Sequence, residues 1–342
     1  MLTYTKVLKT WFDSIDSDTR LKLFGQSQEN LYTVTEKYER SLGEKSPARE
    51  EICRFDLEIP LSGQSYADIA FVYFFQDAID KNVPNTILGG SLPLVQKIAP
   101  LYRPDQVIFI EFDTGSGNQT SCPSMFFKIY SDYAAGKILT VLQEENPNSR
   151  QWANFTKTWE QNKSRCFLRH LGLMLGRDNL PVRVVSRIND RKLEGNVAED
   201  LVAFFNTFDF PFFSSDVLEK LRTLSHINFD NPCPTWYLVS LDLLPDGTWG
   251  KTLGLEIFQT IIDKYKINTT PTHRKKVVQL LKDWQLTDDR INFINDCEKI
   301  LFLTDEKTKE QFLFSYQLSH FKLRWQDGKP LPAKAYFQID QI

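Results

Sequence analysis

The sequence predicts an α+β fold in a single domain spanning residues 1–342. About ten antiparallel strands in repeated αββα units would close into a barrel surrounded by helices. Three observations predict it: several stretches read as strand, turn, strand; pairs of helical segments separate them; and the strands carry apolar residues on one face and polar residues on the other.

The stretch Trp236 to Phe258 shows the pattern most plainly. Tyr237, Val239, Leu241 and Leu243 alternate with Ser240 and Asp242, and Leu253, Leu255 and Ile257 alternate with Thr252, Gly254 and Glu256. Pro245 to Gly250, with two glycines and a proline that cannot extend a ladder, supplies the turn. Arg54 to Phe75, Gln106 to Tyr130, His170 to Ile188 and Phe312 to Ile339 repeat the design.

Helices precede and separate these hairpins. Residues about 4–42 open the chain as N-terminal helices, because Val7, Leu8, Trp11, Phe12 and Ile15, and then Leu21, Phe24, Leu31, Val34 and Tyr38, recur at helical spacing over Tyr4 to Ile15 and Thr19 to Leu42. Gln76 to Asp80 and Ser91 to Tyr102 form the next pair; Tyr133 to Glu144 and Arg150 to Trp159 follow, split by Asn146-Pro147-Asn148. Asn196 to Phe208 pairs with Asp216 to Leu224, and Glu256 to Tyr265 with Thr272 to Trp284; a further helix over Thr287 to Ile300 leads into the last hairpin. Strands with a helix-clad apolar face and a polar inner face would close around a wide lumen, since eight strands are already just filled by side chains. An open sheet with its polar face in water is the alternative; Phe109, Phe126, Met174 and Trp236 on the polar side suit a chamber better.

Composition narrows the function. Hydrophobic residues at 42% and charged residues at 25% are ordinary for a globular chain, and a formal net charge of -3 with scattered Lys and Arg gives no footprint for nucleic acid or an anionic membrane. The partner expected is a small molecule or a peptide. Cys53, Cys122, Cys166, Cys233 and Cys297 lack C-x-x-C spacing, so a disulfide framework or zinc site is not expected and a cytoplasmic location is. No leader-like segment or run of ~20 apolar residues occurs.

Two strands carry a K-x-Y pattern, Lys128-Ile129-Tyr130 and Lys334-Ala335-Tyr336, each on the second strand of its hairpin. With the αββα repeat, these strands resemble the ABBA-fold (PT-barrel) prenyltransferases, both the aromatic members and the cyanobactin-type peptide members. The resemblance covers nearly the whole chain as architecture and is local as motif. It implies a barrel that moves an isoprenyl group from an allylic diphosphate to an aromatic or peptide side-chain acceptor in natural-product biosynthesis. It also implies that Lys128, Tyr130, Arg183, Arg187, Lys334 and Tyr336 hold the diphosphate, with Arg54, Lys322 and Arg324 as further donors. Glu58 stands where indole-modifying members use a Glu to take a proton or hydrogen bond from the acceptor; as residues alone, Glu58 and Arg54 read equally well as a same-face salt bridge. The chemistry asks for such groups, because ionising an allylic diphosphate develops negative charge at one end and positive charge at the other.

The chain departs from that pattern in its acids. Asp56, Glu58, Asp68, Glu111, Asp113, Asp242 and Glu256 match Arg54, Lys128, Arg183, Arg187, Lys322, Arg324 and Lys334 in number. Either some of Glu111, Asp113, Asp242 and Glu256 hold Mg²⁺ against the diphosphate, with no metal ligand set fixed by spacing, or the barrel does acid/base chemistry on a peptide or natural product. A non-catalytic barrel binding a small molecule or peptide is the third reading. Asp113-Thr114-Gly115 reads as turn chemistry, Gly89-Gly90-Ser91 as a helix start, and His170, His226, His273 and His320 have no metal-ligand spacing.

Overall fold

The structure is a computed structural model that describes residues 2–25, 27–42, 54–74, 97–98, 101, 107–114, 123–145, 150–162, 166–175, 177, 181–188, 202, 206, 210, 214–229, 237–246, 248–258, 260–263, 266–269 and 271–342. The helices expected at Gln76 to Asp80 and over most of Ser91 to Tyr102 and of Asn196 to Phe208 lie outside them, as does Gly89-Gly90-Ser91.

Strands β1 (Arg54–Pro60), β2 (Asp68–Phe74), β3 (Val107–Phe112), β4 (Ser124–Lys128), β5 (Cys166–Leu173), β6 (Val182–Ile188), β7 (Tyr237–Leu243) and β8 (Trp249–Phe258) follow one another across the sheet. The short hairpin β9 (Thr260–Asp263) and β10 (Lys266–Thr269) stands apart, and β11 (Lys299–Thr304), β12 (Gln311–Gln326) and β13 (Lys329–Gln341) complete the set. Antiparallel pairing of β13 with β1, and of β12 with β8, closes ten strands into a barrel, with seven α-helices around it among the described residues. β12 is long enough to serve two partners: Gln311 to Tyr316 pair with β11, and His320 to Gln326 pair with β8. The Asp327-Gly328 turn between β12 and β13 has positive φ at both residues (50° and 71°), the geometry that suits the right-handed twist of a tight hairpin.

The chain divides into two compact units, the first formed by Met1–Phe126, Thr287–Ser319 and Lys334–Ile342, the second by Phe127–Leu286 and His320–Ala333. In the first, α1 (Tyr4–Ser14), α2 (Ser17–Phe24) and α3 (Ser27–Leu42) cover the apolar strand face. Trp11 of α1 stacks on Tyr316 of β12 at 5.5 Å, with Phe337 of β13 at 5.6 Å, and Tyr38 of α3 stacks on Phe71 of β2 at 3.7 Å. The polar handles of these aromatics are used: Trp11 Nε1 donates to the Cys297 carbonyl at 2.8 Å, and Tyr316 Oη to the Val7 carbonyl at 3.0 Å. Buried Arg290 donates to Asp288 and to the Gly63 carbonyl, holding the β1–β2 turn. Thr3 caps α1 and Asp16 caps α2.

In the second unit α4 (Asp132–Glu145), α5 (Arg150–Asn162), α6 (Ser215–Phe229) and α7 (Pro271–Asp283) accompany β5 to β8. Val239 and Leu241 are buried on one face of β7, and Asp242, half-buried, lies with Ser240 on the other, so the expected register holds there. Gly254 of β8 faces Ser240 across the ladder. A Cβ on it would collide with Ser240 Oγ and lie 2.9 Å from Lys322 Cε, so glycine makes room for that lysine.

Three sequence expectations change. The helix expected over Thr19 to Leu42 is two helices, because Gly25 adopts φ +55° and ends α2. The helix expected over Glu256 to Tyr265 is the end of β8 followed by β9, where Thr260, Ile261 and Ile262 place three β-branched residues in a row. The helix expected over Thr287 to Ile300 is two short 3₁₀ turns, Asp289–Phe293 and Asn295–Cys297, followed by β11. Asp288 and Asn295 favour local turns over a continuous helix, and Ile300, Leu301, Phe302 and Leu303 favour a strand. Among the described residues no helix is long and apolar enough to cross a membrane.

Removing the α1 anchor is expected to be costly. Trp11→Ala deletes a fully buried indole and its hydrogen bond, and should lower unfolding free energy by about 3–5 kcal/mol in denaturant titration. Leu21→Ala, at a position 66% exposed, should change it by no more than about 0.5 kcal/mol.

Candidate functional site

In the first unit the polar strand face gathers acids around one lysine. Glu58 of β1 lies directly opposite Asp68 of β2 and opposite Tyr336 of β13, while Lys334 lies opposite Pro60. Lys334 Nζ bonds Glu58 Oε1, stands 3.8 Å from Asp68 Oδ2 and lies 5.5 Å from the Tyr66 ring centre. All three charged side chains are buried. Burial pushes the Lys334 ammonium down to about 8, still above neutrality, so the cation remains beside Glu58 at pH 7. Burial first, then the charges of Glu58, Asp113 and Glu111, push the Asp68 carboxyl well above the usual carboxylate range, against a 2.7 Å bond from the Thr114 amide. Further along the same face Arg54 binds Asp56 at 3.2 Å and stands 3.8 Å from Asp340. Arg54 and Glu58 thus have different partners in the structure, Asp56 and Lys334.

In the second unit the bases predominate. Arg183 of β6 forks onto Asp242 of β7 through Nε at 2.7 Å and Nη2 at 2.9 Å. Burial alone would raise the Asp242 carboxyl, but Arg183, with Arg177 and Lys322, holds it below the usual range. Lys322 of β12 meets Glu256 of β8 at 3.2 Å, and His320 Nε2 lies 3.9 Å from the same carboxylate. Glu256 is likewise held low: its burial is outweighed by Lys322, His320 and His170. Lys128 Nζ lies over the Tyr130 ring at 5.3 Å, and the Ile129 amide between them donates to the Arg169 carbonyl at 2.7 Å. The Arg169 guanidinium is pushed down by burial and by Arg187, with Tyr130 acting in the other direction.

Of the sequence-predicted residues, the structure brings together Glu58 with Lys334, Arg183 with Asp242, Glu256 with Lys322, and Lys128 with Tyr130. Tyr130 stands just beyond β4 rather than on it. Tyr336 lies half-buried on β13, and Glu111 and Asp113 act on the unit around Asp68. Among the described residues no group of three or more His, Cys, Asp or Glu side chains is arranged to hold a metal. Sequence reasoning missed Tyr66, His320 and Arg169. A bulge between Leu168 and His170 breaks the two-residue alternation on β5, so no periodic signal reveals which way Arg169 points.

No protein-family model and no curated protein matches the chain. Solved structures do. AnaPT from Neosartorya fischeri superposes with a TM-score of 0.53 at 10% identity, over 98% of this chain and 91% of that one. NotF, solved in complex with brevianamide F and DMSPP, superposes with a TM-score of 0.55 at 7% identity, over 98% of this chain and 94% of that one. The likeness shows the fold: the chain has the ABBA, or PT-barrel, architecture of these neighbours.

The Arg183–Asp242 pair has a measurable consequence. Arg183→Met leaves a buried carboxylate without its fork, and should cost about 3–5 kcal/mol in denaturant unfolding; Arg183→Met with Asp242→Leu should recover most of that loss. Asp242 and Glu256, both held low, contribute stability that is fully present above the ordinary carboxylate value of about 4 and is lost as pH falls through their folded values. Acid unfolding followed by circular dichroism should therefore show a shallower acid limb in Asp242→Asn.

Proposed function

We propose that the protein is a prenyltransferase that moves an isoprenyl group from an allylic diphosphate to an aromatic acceptor, a small molecule or a peptide side chain, in natural-product biosynthesis. The observation that carries this reading is the base-rich polar face of the second unit, set in an ABBA barrel. A face bearing Lys128, Arg169, Arg183, Arg187, Lys322 and Arg324 against Asp242 and Glu256 is suited to a polyanion. NotF holds DMSPP, a prenyl diphosphate, and brevianamide F, an aromatic acceptor, and we carry both ligand classes over to this chain.

In this reading Lys128 and Arg187 bind diphosphate oxygens, with Tyr130 as hydroxyl donor and π shield. The C–O bond of the allylic diphosphate breaks with its electron pair going to the diphosphate; cationic donors favour that step by stabilising charge that grows in the transition state. Arg183, already forked to Asp242, is oriented by that carboxylate and offers its remaining N–H to the same anion. Glu58 accepts the acceptor's proton or hydrogen bond, and Lys334, paired with Glu58, holds it in place; Tyr336, opposite Glu58, is a further hydroxyl donor. Asp242 and Glu256 balance Arg183 and Lys322, and Glu111 and Asp113 shape the charge around Asp68.

A second reading is favoured by the close acid–base pairs Glu58–Lys334 and Glu256–Lys322–His320: acid/base chemistry on a peptide or natural product. Incubation with dimethylallyl, geranyl and farnesyl diphosphate, with and without Mg²⁺, separates the two. A diphosphate at ~100 times its dissociation constant should stabilise the fold by about 2.7 kcal/mol in thermal shift, and an aromatic acceptor should gain one isoprenyl unit by mass spectrometry. No stabilisation by any diphosphate would remove the transferase reading. A lysine near a diphosphate oxygen gains on the order of 4 kcal/mol before desolvation and screening. Lys128→Ala should therefore slow turnover by roughly ten- to a hundred-fold, and Lys329→Ala, in the exposed β12–β13 turn, should leave it unchanged.

A further inference from the structure

Two carboxylates directly opposite one another on neighbouring antiparallel strands, on the same face, repel strongly when both are ionised and buried. Glu58 and Asp68 are such a pair, and one ammonium serves them both. The service is unequal. Lys334 makes a close contact with Glu58 Oε1 and stands off Asp68 Oδ2 at 3.8 Å. Asp68 Oδ1 accepts from the Thr114 amide at 2.7 Å, and two further acids act on it, Glu111 of β3 and Asp113 just beyond. Tyr66, in the β1–β2 connection, presents its ring to the ammonium rather than a charge. With three neighbouring carboxylates and a lysine shared with Glu58, Asp68 has little support for a negative charge.

We propose that Asp68 is a positioning residue that stands as a neutral carboxylic acid, leaves the Lys334 ammonium to Glu58, and thereby keeps Glu58 an ionised, oriented proton acceptor. The upward push on the Asp68 carboxyl is in the same direction. Ionising Asp68 sets a second carboxylate in competition for Lys334 and loosens Glu58. The part of this that concerns catalysis rests on the transferase reading above; the protonation of Asp68 does not.

The two are tested separately. Because the folded state holds a proton on Asp68 that the unfolded chain releases near pH 4, the Asp68 contribution to stability is greatest at low pH and falls as pH rises toward its raised folded value. The difference in unfolding free energy between the parent and Asp68→Asn, which mimics the neutral acid, should therefore drift in favour of the variant as pH rises above the ordinary carboxylate range, with a slope approaching one proton. A flat difference overturns the proposal. Should Asp68→Asn fail to fold, carbon-13 labelled aspartate carboxyls decide the matter in the Asp340→Asn background, which removes the other aspartate that burial pushes upward among the described residues. One signal should still titrate above the ordinary range; none doing so overturns the proposal. With transfer activity in hand, Asp68→Asn should retain only the alkaline fall in kcat/KM that loss of the Lys334 proton sets, and a profile unchanged from the parent's overturns the positioning role. If no diphosphate is ever turned over, the stability and labelling results still stand on their own.

Discussion

The contact on which the sheet depends is the pairing of β12 with β8, and it is made by a strand too long for one partner. Gln311 to Tyr316 take β11, and His320 to Gln326 take β8, so a single continuous strand both carries an added strand and closes the ring of ten. Closure leaves no long edge on those ten strands for another chain to extend. It also fixes register, since a slip by one residue would turn Leu323 and Trp325 inward and Lys322 and Arg324 out into the apolar layer. The cross-strand pair Lys322–Glu256 and the missing side chain of Gly254 are the local expression of that constraint: the lysine meets the carboxylate directly opposite it, and its stem lies where a Cβ on Gly254 would stand.

Putting charges on the polar face of buried strands carries a desolvation cost that only pairing offsets. The chain meets it with short-range partners on adjacent strands: Glu58 with Lys334, Arg183 with Asp242, Glu256 with Lys322. Each partner is set by strand register rather than by sequence proximity. The same cost is visible where pairing is incomplete, in the upward push on Asp68 and the downward push on Lys334. Such opposed shifts among neighbouring groups are what acid–base work near neutral pH requires, and here they arise from burial and cross-strand geometry alone.

The period-two patterns over 54–75, 106–130, 170–188, 236–258 and 312–339 made the hairpins legible, because one buried face forces alternation whatever the tertiary detail. The helices were legible where apolar spacing was long, as in α1, α4, α5 and α7. They failed where local chemistry decided: at Gly25, at the β-branched run 260–262, and at Asp288 to Cys297, where capping side chains and a following apolar strand outweighed a loosely helical spacing. Of the site, the faces of Lys128, Lys334, Glu58 and Asp242 followed from alternation. Their partners did not, because Glu58 and Lys334 are 276 residues apart in sequence and meet only once β13 pairs with β1. Tyr66 sits in a connection and Arg169 in a bulge, where no period exists to read.

Composition misleads in one further respect. Counted along the chain, seven acids and seven bases on the polar faces cancel, and the cancellation argued as much for a neutral binding barrel as for a polyanion site. Sorted by compact unit, Asp56, Glu58, Asp68, Glu111 and Asp113 fall with Arg54 and Lys334, whereas Asp242 and Glu256 fall with Lys128, Arg183, Arg187, Lys322 and Arg324. Electrostatic work is done over a few ångströms in a low-dielectric face, so local excess matters and the overall sum does not. An acid-rich face tunes carboxylates and a lysine toward proton handling; a base-rich face is prepared for an anion. Neither environment is available from a face on which the charges had been evenly mixed.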